Sequence, residues 1–167
     1  KPEYGECPPY KCTRGTRITL ARLFTRMGFK IGAEIGVNLS KYSYRLCKYN
    51  PNLKLYCIDP WIPNPLQMYP QEWWEDVYTR AAALLDGKNV EIMRMTSEDA
   101  AKIIPDNSLD FVYIDARHDF ENAVRDISLW YPKVHTHGVV AGHDYTPICG
   151  VFDAVNGFTK SKRITKW

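Results

Sequence analysis

Short apolar runs alternate along this chain with segments whose apolar residues return every three or four positions. Runs of the first kind suit strands buried on both faces and segments of the second kind suit amphipathic helices, so the alternation predicts a parallel sheet covered by helices. The series opens with a helix over 16–28, "TRITLARLFTRMG", in which Ile18, Leu20, Leu23, Phe24 and Met27 fall roughly on one side and Gly28 is the stop signal. Strand one is "IGAEIGV" (31–37), then come a helix "YSYRLCKY" (42–49) and strand two "LKLYCID" (53–59). A helix "QEWWEDVYTRAAALL" (71–85) ends at Asp86-Gly87, before strand three, "VEIMRM" (90–95). "SEDAAKII" (97–104) reads as a short helix with Thr96 or Ser97 as N-cap, "LDFVYID" (109–115) as strand four, and "FENAVRDISLWYP" (120–132) as a helix closed by Pro132. "GVVAGHD" (138–144) is strand five, "DAVNGF" (153–158) belongs to a last helix, and a final short strand is expected at Ile164.

The polar residues that interrupt this pattern collect at one kind of place. Glu34 and Gly36 end strand one, Asp59 ends strand two, Ser97 follows strand three, Asp115 and His118 follow strand four, and His143 with Asp144 closes strand five. In an open parallel sheet, ligands bind beyond the carboxyl ends of the strands, near the point where the strand order reverses. Strand four runs from "LDFVYI" directly into Asp115, Arg117, His118, Asp119 and Glu121. Burying unpaired charge is expensive, so such a strand is expected to stop at a surface or a site.

Composition adds bounds. With 167 residues and 45% hydrophobic content the chain suits one domain, 1–167, with a packed core. Its 22 basic and 19 acidic residues leave a formal +3, with much of the excess in the tail Lys160, Lys162, Arg163 and Lys166. A nucleic-acid footprint is not demanded by that balance. Five cysteines show no C-x-x-C spacing. Cys47 and Cys57 read as small buried apolar residues, the spacing of Cys7 and Cys12 would close a small disulfide loop, and reduced cytosolic thiols are the simplest account. No apolar stretch approaches a membrane span and no signal-peptide pattern opens the chain, so a cytoplasmic protein is expected. Residues 1–15 read as an extended, polyproline-like lead-in, and the start at Lys1 leaves room for a longer parent.

The first loop, "AEIGVNLSKYS", discriminates among nucleotide-binding folds. A dinucleotide fingerprint needs G-x-G-x-x-G, whereas this loop has a single glycine. A nicotinamide dehydrogenase therefore ranks last. The E-x-G pattern here, with "YCIDPW" at strand two, "IDARHDFENAVRDI" at strand four and "GVVAGHDY" at strand five, resembles the class I S-adenosylmethionine-dependent methyltransferases, in particular the small-molecule O-methyltransferases related to cephalosporin-hydroxylase and macrolide-sugar enzymes. The resemblance covers roughly residues 17 to 146 as ordered motifs. It implies a doubly wound α/β fold with helices on both faces of a mostly parallel sheet. The usual C-terminal hairpin would be abbreviated or missing, because the chain after Phe158 has room for one short strand at most.

The resemblance also implies roles. Glu34 and Gly36 match the motif that approaches the methionine portion of the cofactor, Asp59 the acid that accepts from the ribose hydroxyls, and Ser97 the contact beside the adenine. Asp115 and Asp144 match carboxylates that hold a divalent cation in metal-dependent members, and His118 matches a general base. Two departures matter. Ser40 replaces a second glycine, and His143 stands where some members have Glu, which shifts the expected ion from magnesium toward manganese, iron or zinc. Base-methylating enzymes carry N-P-P-Y after strand four, where this chain has "DARH"; "CPPY" lies instead at 7–10.

The chemistry is coherent in its own terms. Methyl transfer from a sulfonium to a hydroxyl depends on close in-line positioning. A cation on Asp115 and Asp144 would acidify the hydroxyl and His118 would take its proton. Plainer roles exist for each residue: Asp115 as a helix cap, although Asp119 is the better candidate; His118 as a surface histidine; His143 as a structural one; Glu34 paired with a lysine; Asp59 in its turn before Pro60. His135 and His137 read as turn residues before Gly138. The Pro/Trp-rich stretch over 60–75, with Trp61, Tyr69, Trp73 and Trp74, reads as a lid over the acceptor pocket, a homodimer contact or ordinary packing. Two rivals to an O-methyltransferase remain: a metal-dependent hydrolase using Asp115, His118, His143 and Asp144, and a non-catalytic methyltransferase-like binding module.

Overall fold

The structure, a computed structural model, describes residues 16–63 and 69–162. The Cys7–Cys12 pair, the "CPPY" lead-in, the middle of the Pro/Trp-rich loop and the strand expected at Ile164 lie outside the described residues. Among those described, the order is α1 (Arg17–Arg26), β1 (Ile31–Ile35), α2 (Lys41–Tyr49), β2 (Lys54–Ile58), α3 (Gln71–Leu85), β3 (Val90–Met93), α4 (Ser97–Ile103), β4 (Leu109–Ile114), α5 (Phe120–Trp130), a 3-10 turn at Tyr131–Lys133, β5 (Val134–Gly142) and α6 (Gly150–Lys162). All five strands are parallel, in the order β3-β2-β1-β4-β5. The order reverses between β1 and β4, which places the switch point of a doubly wound fold beside the ends of those two strands.

Local chemistry sets the element boundaries. Thr16 and Thr19 form a reciprocal capping box at the start of α1, and Gly28 lets the chain turn away at φ 73. Thr96 caps α4 by accepting from Asp99 N–H, and Asp119 caps α5 by accepting from Asn122 N–H. The cap role considered for Asp115 therefore belongs to Asp119. α1, α2 and α3 supply one core layer, where Phe24 stacks on Phe111 at 4.1 Å, and α4 and α5 supply the other around Trp130, Ile35 and Val112.

Three expectations change. Glu34 lies within β1 rather than at its end, paired in register with Cys57 and Tyr113. The pleat sends Ala33 and Ile35 into one layer and turns Glu34 into the other, under α2. β5 begins at Val134, so His135 and His137 are strand residues rather than turn residues. Its register jumps from Leu109↔Val134 to Phe111↔Val139, and a Cβ on Gly138 within that bulge would lie 2.4 Å from the Asp110 carbonyl oxygen. His135 Nε2 sits 2.9 Å from Asp110 Oδ1 at the amino end of β4, the edge away from the residues that follow the strands. Finally, the last helix is longer than its periodic core, spanning Gly150–Lys162 and packing on α5.

Candidate active site

Sheet hydrogen bonding carries β4 and β5 to the same level at their carboxyl ends. Asp115 N–H bonds the Ile35 carbonyl at 2.8 Å and His143 N–H bonds the Ile114 carbonyl at 3.1 Å. Four residues meet there. His118 Nε2 is 3.1 Å from Asp144 Oδ2 and 3.7 Å from Asp115 Oδ1; His143 Nδ1 is 3.0 Å from Asp144 Oδ1 and 3.8 Å from Asp115 Oδ1. One ligand atom each from Asp115, His118 and Asp144 lie within 4.8 Å of one another, so His118 joins the two carboxylates as a candidate ligand as well as a candidate base. Two carboxylates and an imidazole suit a nitrogen-tolerant divalent ion better than magnesium.

A fifth member escaped the sequence reading. Arg17, the first residue of α1, places Nη2 2.9 Å from Asp115 Oδ2 and lies over the Tyr42 ring, 5.8 Å from its centroid. No spacing rule joins a helix start to a strand end so far along the chain, and a lone arginine in "GTRITL" carries no signal of its own. Its guanidinium places a positive charge on the carboxylate that a cation would use, and like charges at such range repel strongly in a partly buried site. Arg17→Gln is therefore expected to tighten Mn2+ binding about tenfold or more by calorimetry; equal or weaker binding would show that Arg17 orients Asp115 rather than competing for it.

The other half of the rim is made by the loops after β1 and β2. Gly36, Asn38 and Ser40 all adopt positive φ in the first loop, as do Trp61 in the second and Asp144 after β5, so left-handed backbone is concentrated at these strand ends. Asp59 ties the two loops together: Oδ2 accepts from Asn38 N–H at 2.9 Å and Oδ1 from Trp61 N–H at 2.8 Å. Burial pushes its carboxyl above the usual range, and the N–H groups of Asn38, Trp61 and Val37 pull it part of the way back. Ser40 Oγ is buried without a hydrogen-bond partner.

Two expected cofactor contacts are engaged in other ways. Glu34 is 2% exposed, accepts from Ser43 Oγ at 2.5 Å, and has its carboxyl pushed up to about 8, chiefly by burial. Ser97 Oγ donates to Asp126 Oδ1 at 2.5 Å and accepts from Trp130 Nε1 at 2.8 Å, holding α4 to α5. Gly36 approaches backbone, since its missing Cβ would lie 2.2 Å from the Asp115 carbonyl oxygen. The aromatic cluster also divides. Trp61 and Trp74 are core residues, with Trp61 Nε1 donating to the Asn38 carbonyl, while Tyr69 and Trp73 stack at 4.2 Å nearer the surface.

A family model described as "Methyltransferase domain" matches residues 30–145, a span that contains the strand-end residues named above and excludes Arg17. Among curated proteins, none matches the chain in sequence. Solved structures do match in fold. The O-methyltransferase from Bacillus cereus in complex with SAH has a TM-score of 0.63 at 15% identity, covering 92% of this chain and 71% of that chain. A candidate caffeoyl-CoA O-methyltransferase from Staphylococcus aureus gives 0.62 at 15% identity over 87% and 73%, and a precorrin-6y C5,15-methyltransferase from Geobacter metallireducens gives 0.62 at 13% identity over 92% and 74%. At these identities the likeness is one of fold.

Proposed function

From the premise that the chain belongs to the class I S-adenosylmethionine-dependent methyltransferases, we propose that it methylates a hydroxyl of a small molecule, a sugar hydroxyl being the first candidate, with assistance from a divalent metal. The observation that carries this reading is the meeting of Asp115, His118, His143 and Asp144 at the ends of β4 and β5, next to the β1 and β2 loops that bear Gly36 and Asp59.

The residues present fit S-adenosylmethionine. Asp59 uses only part of the roughly four lone-pair positions of a carboxylate on backbone N–H groups, which leaves room for the ribose hydroxyls. The strained first loop, with the unpartnered Ser40 Oγ, supplies polar groups beside it. Glu34 acts from beneath that loop, and Ser97 acts through the α4–α5 junction. The fit to a metal is good in donor chemistry, with Asp115 and Asp144 as oxygen ligands and His143 as nitrogen ligand, which leaves His118 as base, and is opposed in charge by Arg17. A bound divalent cation would acidify the acceptor hydroxyl. His118 Nε2 takes the hydroxyl proton, and the carboxylates of Asp144 and Asp115 beside it offset the charge the ring acquires. A cytoplasmic setting and a homodimer through the exposed Tyr69, stacked on the partly buried Trp73, complete the reading; no described helix is long and apolar enough to cross a membrane.

Calorimetry with S-adenosylhomocysteine tests the premise of the chemistry. Binding is expected, and its absence would leave the metal-dependent hydrolase as the better account. His118→Ala is expected to slow transfer about a hundredfold while leaving S-adenosylhomocysteine affinity unchanged. Unaltered turnover would remove His118 as the base, and no turnover by the wild type with any hydroxyl acceptor would favour a binding module.

A further inference from the structure

Charge is segregated along this chain far more than its net +3 suggests. Residues 16–58 carry eight Lys and Arg against one acid, Glu34, which is buried, whereas residues 59–162 carry sixteen acids against nine bases. The basic segment folds into α1, β1, α2 and β2, so much of its charge emerges on the helical face made by α1, α2 and α3.

That face is grooved. Lys41, Tyr44, Arg45 and Lys48 stand at i, i+3, i+4 and i+7 on α2 and, with Ile18, Tyr49 and Leu84, line a shallow groove. Two further cations bracket it: Lys88 Nζ lies 5.6 Å from the Tyr44 ring centre and Arg22 Cζ lies 5.0 Å from that of Tyr49. Among the described residues, Lys41, Arg45 and Lys48 have no ion-pair partner, while Arg80, Arg94, Lys102, Arg117, Arg125 and Lys133 elsewhere each pair with an acid. Like charges three and four residues apart destabilise a helix, and of the three only Lys48, in the last turn, gains from the helix dipole.

We propose that this face docks the phosphate backbone of a single-stranded nucleic acid. Lys41 and Arg45 are about 6 Å apart along the helix axis and Arg45 and Lys48 about 4.5 Å, a spacing that distributes charge along a line rather than around a single anion. A concave site with cations along its wall admits a narrow polyanion, whereas a flat anionic bilayer would touch only its margins. A positively charged groove with aromatic side chains in its wall is also the combination that single strands use. None of the groove-lining residues belongs to the Asp115 cluster, so the two readings are tested by different substitutions.

The test is fluorescence anisotropy with a labelled 15-nucleotide oligouridylate. Wild type is expected to bind with a log affinity against log salt slope of about −2, corresponding to roughly three neutralised phosphates. The K41E/R45E/K48E variant is expected to lose at least about thirtyfold in affinity and most of the salt slope. K41Q/R45Q/K48Q, which adds no acids, should lose about tenfold and should melt at or above the wild-type temperature because like-charge pairs are removed. K102E/R125E, which alters paired cations on α4 and α5, is expected to bind as wild type does. Affinity unchanged by the α2 variants, an equal loss in K102E/R125E, or wild-type binding to phosphatidylserine vesicles but not to the oligonucleotide would each overturn the proposal.

Discussion

Gly36→Ala is expected to lower the melting temperature by about 5–20 °C. Two costs act together. The residue sits at φ 87, where a side chain costs about 1–2 kcal/mol. The added Cβ would also lie 2.2 Å from the Asp115 carbonyl oxygen, 2.6 Å from its carbon and 2.8 Å from Ala116 Cα. Those atoms are backbone, and backbone on both sides is tethered: Gly36 N–H bonds the Ile58 carbonyl at 2.9 Å and Asp115 N–H bonds the Ile35 carbonyl at 2.8 Å. Relief therefore requires breaking sheet hydrogen bonds, and overpacking of this kind adds about 1–3 kcal/mol. The sum, about 2–5 kcal/mol, is a large part of a typical 5–15 kcal/mol stability. Gly28→Ala is the control, with φ 73 but nothing within 4 Å of the new methyl, and should cost only the conformational part. Equal melting temperatures for the two variants would show that the close approach between the first loop and Asp115 is not rigid.

The wild type is also expected to lose stability as pH rises from about 4.5 to about 8, and Glu34→Gln to remove that dependence. Burial, partly countered by the Ser43 hydrogen bond and reinforced by Asp115, pushes the Glu34 carboxyl up to about 8 from its ordinary value of 4.5. Within this window the folded state holds a proton that the unfolded state has released, so unfolding is favoured increasingly with pH. Below 4.5 both states are protonated and the contribution is fully present; above 8 both are ionised and it is gone. At about 1.4 kcal/mol per pH unit the effect is on the order of 5 kcal/mol across the window. Glutamine keeps an acceptor for Ser43 Oγ and carries no charge, so Glu34→Gln should melt above wild type at pH 9 and near or below it at pH 4.5. Asp59, whose carboxyl is also raised by burial, bends both curves in the same direction, which is why the difference between the two proteins is the quantity to measure. Parallel curves would mean that Glu34 ionises freely in the folded protein.

These two residues show where the sequence reading was strong and where it fell short. Both were recognised as special from "AEIGV", one as an acid in an apolar run and the other as a lone glycine in a loop. The contacts each makes within the fold could not be read there, because each depends on a neighbour distant in sequence. Gly36 is required by the backbone at 115–116, and Glu34 is buried because α2 closes over that face of β1. The meeting of Asp115, His118, His143 and Asp144 was legible, since parallel strands deliver the residues after them to one edge. Arg17 was not, because its place at the site follows from how α1 packs over β4 through Phe24 and Phe111.

By itself, the order of residues determined the alternation of strands and helices, the Thr96 and Asp119 caps, the glycine stop after α1 and the edge of the sheet on which a site would form. All of these rest on interactions within a few positions or on a period that repeats along one element. Tertiary structure alone decided that Trp61 and Trp74 turn inward, that His135 serves the opposite edge, that a guanidinium from α1 reaches the carboxylate after β4, and that unpaired cations from α1 and α2 share one face. Those outcomes depend on which elements become neighbours, and burial and Coulomb energies act between neighbours in space whatever their separation along the chain.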